Sequence, residues 1–280
     1  MPLGYLRCRA VQQLSQRLPR GAALQLAEHV SDAWWSYSAR DRSAVEANLS
    51  AVLGYPAPRS MGREVFRNFG RYLVEFFTMH RGSPQRLRVE GRGHLDAAHR
   101  AGGAIILTGH LGNWELGAAC IRMMGFPMSV VARPHADARI DALFNRQRQL
   151  SGLEVIPVGA EAARQSLASL RQGRFLGLLG DREFGAHGMR LPWFGGTAML
   201  PDGPALLSLR SRAPILPSVL LREGPGQFCL HIEPPMRPQA RGPLAAEVAA
   251  LTKAYTEIFE RYIQQDPTQW LMFQPVISKA

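Results

Sequence analysis

The sequence predicts an α/β protein with a mostly parallel central sheet, helices on both of its faces and an N-terminal helical segment. Three observations carry that expectation. From Gly103 onward, short apolar runs alternate with amphipathic stretches, the pattern of strands joined by helical crossovers. The amphipathic stretches close on Gly125, Gly152 and Gly173, the residue type that ends helices most readily. Before residue 86 the pattern is helical throughout. The chain therefore divides into residues 1–85, a basic and amphipathic helical region, and residues 86–280, an α/β core. At 280 residues and 46% apolar content it can bury a sizeable core.

Residues 1–20 carry Arg7, Arg9, Arg17 and Arg20 and no acidic residue, and Ala23 to Tyr37 then repeat apolar positions at helical spacing. This segment either packs on the domain or lies in a membrane interface, where the adjacent Trp34 and Trp35 would suit a half-wet position. Residues 41–55 predict a short helix ending at Gly54. Residues 60–81 predict a longer one whose stripe of Val65, Phe66, Phe69, Tyr72, Leu73 and Phe76 reads as core. A short strand at 87–90 leads into Gly91.

In the core region, AIILTG, MSVVAR, EVIPVG and RFLGLLGD are read as strands separated by helices. Residues 182–200 read as a glycine-rich loop without periodic pattern, long enough to be functional. A helix follows at 202–212. The strands PILPSVLLR and FCLHIEPP come next, expected antiparallel, and a long helix over about 243–265 leads to an aromatic tail, WLMFQP.

The net charge of +11 comes almost wholly from arginine, since Lys253 and Lys279 are the only lysines. It argues for an anionic partner: nucleic acid, a phospholipid surface, or an acidic carrier or substrate. Because the arginines form no reading helix, nucleic-acid binding rests on charge alone and is not expected. Cys8, Cys120 and Cys229 lie far apart, consistent with a reducing compartment and with neither a disulfide framework nor a metal site. No run reaches the roughly 18 apolar residues of a membrane span. The N-terminus also lacks the features of a secretory signal.

The stretch AIILTGHLGNWELGAA, residues 104–119, carries the first chemistry. A strand ends in a glycine-bracketed turn holding His110, and a helix begins near Asn113, a natural N-cap, with Glu115 in its first turn. A histidine on the turn can meet the Glu115 carboxylate, and a carboxylate-held imidazole is a general base. Other strand ends add Arg133 and the group Asp181, Arg182 and Glu183, where open parallel sheets gather their working groups. There is no G-x-S-x-G elbow and no phosphate loop ending in Gly-Lys-Ser or Gly-Lys-Thr. His135 and His187 read as loop residues, and Cys120 as a small core residue.

His110-Leu-Gly-Asn-Trp-Glu115 resembles the H-x-x-x-x-D/E motif of the lysophospholipid acyltransferase superfamily, in its bacterial lipid A (lauroyl/myristoyl) acyltransferase branch. The likeness continues through Asn48-Leu49, Arg133-Pro134, Asn145 with Arg148, and Gly180-Asp181-Arg182-Glu183. Phe194-Gly195-Gly196, Pro201 to Ala205, Pro214 to Pro217 and Asp266 to Trp270 extend it, so that it covers roughly residues 40–275. The resemblance implies a glycerolipid acyltransferase-like fold. It also implies acyl transfer from a thioester on acyl carrier protein or coenzyme A to a hydroxyl of a glycolipid such as a lipid A precursor.

In that scheme His110 is the base and Glu115 its acidic partner. Arg133 stabilises phosphate or oxyanion charge, and Asn145, Arg148, Asp181, Arg182, Glu183, Phe194, Gly195 and Gly196 belong to substrate binding. No metal and no cofactor beyond the co-substrate are implied. The missing spanning helix implies peripheral attachment to an anionic surface, at the cytoplasmic face of a bacterial inner membrane. The Gly-Asp-Arg-Glu, FGG and PDGP segments are also similar to phosphatidylinositol mannoside acyltransferases. A lysolipid acceptor and a hydrolase using His110 and Glu115 are the remaining alternatives. The absent Pro-Glu-Gly motif disfavours plain phosphatidic acid synthesis.

Overall fold

A computed structural model describes residues 4–82, 84–183, 188–238 and 242–278. Four helices come first: α1 (Tyr5–Arg17), α2 (Arg20–Tyr37), α3 (Ala39–Leu53) and α4 (Arg59–Thr78). Pro19 and Pro58 each stand immediately before a helix, and Gly54 closes α3 in the left-handed region. The α/β part runs β1 (Arg86–Glu90), α5 (Arg92–Arg100), β2 (Ile105–Thr108), α6 (Trp114–Met123), β3 (Met128–Ala132), α7 (Ala138–Leu150), β4 (Glu154–Pro157), α8 (Ala162–Arg171) and β5 (Phe175–Leu179). It continues through β6 (Met189–Trp193), β7 (Gly196–Leu200), α9 (Gly203–Ser211), β8 (Ile215–Gly224), β9 (Gln227–Ile232), α10 (Leu244–Gln265) and β10 (Ile277–Ser278).

Seven strands form the main sheet in the order β1-β9-β8-β2-β5-β3-β4. Strands β8, β2, β5, β3 and β4 are mutually parallel, β9 turns back antiparallel on β8, and β1 pairs parallel with β9. One apolar core lies between this sheet and α4, α6 and α7, with Val65, Phe66 and Phe76 fully buried along α4. A second lies on the other face, with Tyr255 and Phe259 of α10 and Trp193 of β6. Helices thus cover both faces, as the alternation in sequence predicts.

Three expectations change. Residues 189–200 are not a structureless loop but a β-hairpin, β6 on β7, joined through Phe194 and Gly195 at φ 47° and 71° and extended by β10. Two positive-φ residues give the twist a tight hairpin needs, and phenylalanine in the first position hides that signal from the sequence. The neighbouring residues 184–187, His187 among them, lie outside the described residues. Helix α5 was not read from the sequence: only Leu95 and Ala98 of its nine residues are buried.

The tryptophans expected at a wet interface are packed inward. Trp34 stacks on Phe273 with ring centroids 4.8 Å apart and donates to Asp41, while Trp35 is buried against Phe66. The first helices belong to the same apolar core as the sheet, through Cys8 and Trp35. Among the described residues, no helix is long and apolar enough to cross a membrane.

Candidate active site

Strand β2 ends at Thr108, and the chain then makes a tight turn through Gly109, His110, Leu111 and Gly112 into the N-cap of α6. Gly112 has φ 62°, and a Cβ there would lie 1.9 Å from the Leu220 carbonyl oxygen, so no side chain fits. Asn113 caps α6 by accepting from Leu116 N at 3.1 Å. The turn is sewn to its surroundings by Asn113 N to Leu220 O (3.0 Å), Gly112 N to Gln269 O (2.9 Å) and Leu271 N to His110 O (2.7 Å).

The carboxylate that meets the His110 ring is Asp181, not Glu115. Asp181 Oδ1 lies 2.8 Å from Nδ1 of His110, and Oδ2 accepts from the His110 backbone N–H at 2.7 Å and from the Trp270 indole at 3.0 Å. Burial pushes this carboxyl upward. The His110 charge, with the hydrogen bonds from the His110 ring, Trp270 and the His110 amide, outweighs burial and holds it below the usual carboxylate range. An ionised partner on Nδ1 makes that nitrogen the proton carrier and puts the imidazole lone pair on Nε2.

Glu115 instead faces Arg148 of α7, which donates from Nε to both oxygens at 3.1 Å and from Nη2 at 2.5 Å. Both side chains are nearly buried, and Asn145 Oδ1 receives Arg148 Nη1 at 2.9 Å. Burial lowers the Arg148 pKa, but the charge and hydrogen bonds of Glu115 overcome it, so the guanidinium stays charged. A second buried ion pair sits behind the turn. Arg222 of β8 holds Glu75 of α4 through two bonds of 2.5 and 2.7 Å, and Asn113 Nδ2 donates to Glu75 at 2.9 Å. Nothing in the sequence spacing marks Glu75 or Arg222, because three separate elements meet only in the fold.

A cavity of about 780 Å³ opens beside His110. Glu115, Arg133, Arg148, Arg182 and Glu183 contribute to its wall, which is otherwise mainly apolar. Burial lowers the Arg182 pKa, Asp181 opposes that shift, and the nearby charge of Arg133 adds to it: two guanidiniums share this mouth. Thr108 also lines the cavity, and its hydroxyl has no hydrogen-bond partner among the described residues. Of the residues expected in substrate binding, Phe194, Gly195 and Gly196 form the turn of the β6–β7 hairpin instead of the cavity wall. Phe194 is buried on Trp193 and Trp270. Asn145 reaches the site only through Arg148, and His135 lines the cavity against Phe144. Cys120 is buried and pushed up to about 12 by desolvation, a core thiol.

A carboxylate-fixed imidazole thus stands at a strand end, with arginines at the mouth of a mainly apolar cavity beside it. The family model "Bacterial lipid A biosynthesis acyltransferase" matches residues 8–278, and the chain belongs to that family. It is an acyltransferase of lipid biosynthesis. A phosphatidylinositol mannoside acyltransferase of Mycobacterium tuberculosis is 30% identical over 241 residues, 81% of this chain and 74% of that protein. The protein of the same description from Mycolicibacterium smegmatis is 28% identical over 272 residues, 92% of this chain and 88% of its own length. The crystal structure of a 1-acyl-sn-glycerophosphate acyltransferase from Thermotoga maritima matches 88% of this chain and 99% of its own, at 13% identity and a TM-score of 0.44.

Proposed function

We propose that the protein transfers a fatty acyl group from an acyl thioester, on acyl carrier protein or coenzyme A, to a sugar hydroxyl of a glycolipid. The observation that carries this reading is the His110 ring, held at Nδ1 by Asp181 (2.8 Å) beside a mainly apolar cavity of about 780 Å³. An alcohol is a poor nucleophile at neutral pH. Nε2 of His110 takes the hydroxyl proton as the oxygen attacks the thioester carbonyl. The tetrahedral intermediate collapses, the C–S bond breaks, and the imidazolium returns its proton to the leaving thiolate. The products are an ester and a free thiol, and the step uses no metal and no cofactor beyond the co-substrate.

Asp181 holds the tautomer and steadies the imidazolium, the role that the sequence suggested for Glu115. Glu115 fixes Arg148 at the cavity wall, with Asn145 as its second anchor. Arg133 and Arg182 offer charge to a phosphate of the donor or to the developing oxyanion. The family model favours a lipid A precursor as acceptor, whereas the mycobacterial relatives favour a phosphatidylinositol mannoside. A sugar hydroxyl on an amphiphile is common to both. The exposed Arg7, Arg9 and Arg17 of α1 suit an anionic leaflet, and the reading puts the enzyme at the cytoplasmic face of an inner membrane.

The test compares purified wild type with His110→Ala, each given an acyl thioester with and without the two glycolipid acceptors. Acceptor-dependent thiol release that collapses in the variant is expected. Unchanged turnover in His110→Ala would overturn the mechanism, and free fatty acid without acceptor would replace transferase with hydrolase.

A further inference from the structure

Cys229 and His231 stand two residues apart on β9 and so share one face of that strand, while Leu230 between them lines the His110 cavity from the other. Strand β1 runs beside β9 in parallel register, which sets Arg88 next to Cys229 and Glu90 next to His231. Gly91 follows at φ 75°, and a Cβ there would lie 2.0 Å from the Ile232 carbonyl oxygen, so only glycine lets the chain stay this close to β9 beyond Glu90. One thiol, one imidazole and one carboxylate are thereby gathered from two strands. His231 Nδ1 lies 2.7 Å from Glu90 Oε2 and 4.0 Å from Cys229 Sγ, and all three atoms fall within 4.8 Å of one another. Nothing along the sequence marks this set, because its carboxylate comes from a different strand.

The donor types select the metal. Sulfur, nitrogen and oxygen together suit tetrahedral Zn²⁺, whereas Mg²⁺ and Ca²⁺ take oxygen ligands. Ligand atoms bound to zinc at ~2.0–2.3 Å stand roughly 3.3–3.6 Å apart. The separations of 2.7 and 4.0 Å bracket that spacing. Glu90 is exposed, so a small rotation of its side chain opens the gap. The other two donors are held in place: Cys229 is fully buried, and the His231 ring lies against Tyr262 of α10 with centroids 5.3 Å apart.

Arg88 is the group that opposes a cation here. Its guanidinium is paired with Glu90 Oε1 and with Glu223 Oε1, so Glu90 Oε2 is left to face His231. Two carboxylates thus stand against one guanidinium.

We propose that Cys229, His231 and Glu90 bind one zinc ion, with water in the fourth position. The thiol proton leaves to solvent as the metal binds, and sulfur coordinates as the thiolate. Strand β1 lies at the edge of the main sheet, and among the described residues β9 is its only neighbouring strand. An ion held by both strands is a clip that fixes this edge. None of its three ligands lines the His110 cavity, so the proposal does not depend on the acyl-transfer reading.

Equilibrium dialysis of the untagged chain against Zn²⁺, with its thiols kept reduced, tests the site. Wild type should bind one equivalent. Glu90→Gln and Cys229→Ser should each weaken binding about tenfold or more, since loss of even an outer partner of a metal ligand costs that much. With Co²⁺ in place of zinc, wild type should show the ultraviolet thiolate-to-cobalt charge-transfer band, and Cys229→Ser should lose it. Zn²⁺ should also slow amide exchange across β1 in wild type but not in Glu90→Gln, an exposed change whose fold circular dichroism checks. No bound equivalent in wild type, or unchanged affinity in both variants, would overturn the site. A bound equivalent that leaves β1 exchange unchanged would overturn the clip.

Discussion

Trp270 and His110 meet on one oxygen atom. The Trp270 indole N–H and the His110 backbone N–H both donate to Asp181 Oδ2, at 3.0 and 2.7 Å, which leaves Oδ1 for the imidazole. The next backbone amide, Leu271 N–H, donates to the His110 carbonyl at 2.7 Å. The aromatic tail is thereby part of the site: it fixes the carboxylate that fixes the ring.

Asp181→Asn keeps the volume and much of the hydrogen bonding but lets Nδ1 become the acceptor, which moves the ring proton to Nε2. Loss of the correct tautomer in a comparable triad lowers turnover by about 10⁴-fold, and a fall of about 10²- to 10⁴-fold in kcat is expected here. Trp270→Phe removes one of three bonds to the carboxylate, so its effect should be smaller, about tenfold. Single-turnover thiol release measures both. An Asp181→Asn enzyme within twofold of wild type would remove Asp181 from the mechanism.

Glu115 and Arg148 form a nearly buried ion pair, and breaking one side of such a pair leaves the other charge stranded. Glu115→Gln should cost roughly 3–5 kcal/mol of folding stability, read from urea midpoints. Replacing both, Glu115→Leu with Arg148→Met, should recover most of that loss because no charge is left unpaired. If Glu115 acts on His110 instead, Glu115→Gln will lose turnover while its urea midpoint stays at the wild-type value.

The contrast between Asp181 and Glu115 shows where sequence reasoning stops. His110 was legible because a glycine-bracketed turn after an apolar run marks a strand end. Its partner was not, since proximity along the chain favours Glu115, five residues away. Asp181 arrives because β5 lies beside β2 in register, Thr108 opposite Leu179, so positions two residues on face each other. Strand order is not written in any one segment. The alternation of strands and helices was readable from apolar runs and helix-closing glycines. The β6–β7 hairpin was not, because Pro192 interrupts its first strand and Phe194 occupies a backbone conformation usually left to asparagine or glycine. The β10 strand that extends it comes from the far end of the chain.

Asp32 of α2 sits between Arg63 and Arg67 of α4, each guanidinium donating twice, at 2.5–2.8 Å. Hydrogen bonds from Arg67 and Arg63 outweigh the upward push of burial and hold the carboxyl far below its usual range. A depressed folded-state pKa contributes stability that is present above the unfolded value, about 3.9, and is lost as pH falls toward the folded one. Asp32→Asn should therefore lower the urea midpoint at pH 7. The gap to wild type should narrow steadily below about pH 4. A gap independent of pH would mean that the clamp stabilises through packing and not through charge.

The membrane prediction follows from α1. Leu6 and Leu14 are 79% and 44% exposed, two turns apart on one face of this helix, and Arg7, Arg9 and Arg17 are exposed on the same helix. Apolar side chains flanked by arginines suit the boundary of an anionic leaflet, with each arginine worth about 1 kcal/mol near the surface. Trp34 and Trp35 are committed to the core and should not take part. Wild type should co-sediment with anionic vesicles and release as salt rises, because screening shortens to about 3 Å at 1 M. Reversing the charge at Arg7, Arg9 and Arg17 to glutamate should abolish binding while circular dichroism stays unchanged, and Leu6→Ser with Leu14→Ser should weaken it at every salt concentration. Binding to neutral vesicles equal to that on anionic ones would assign attachment to the apolar residues alone.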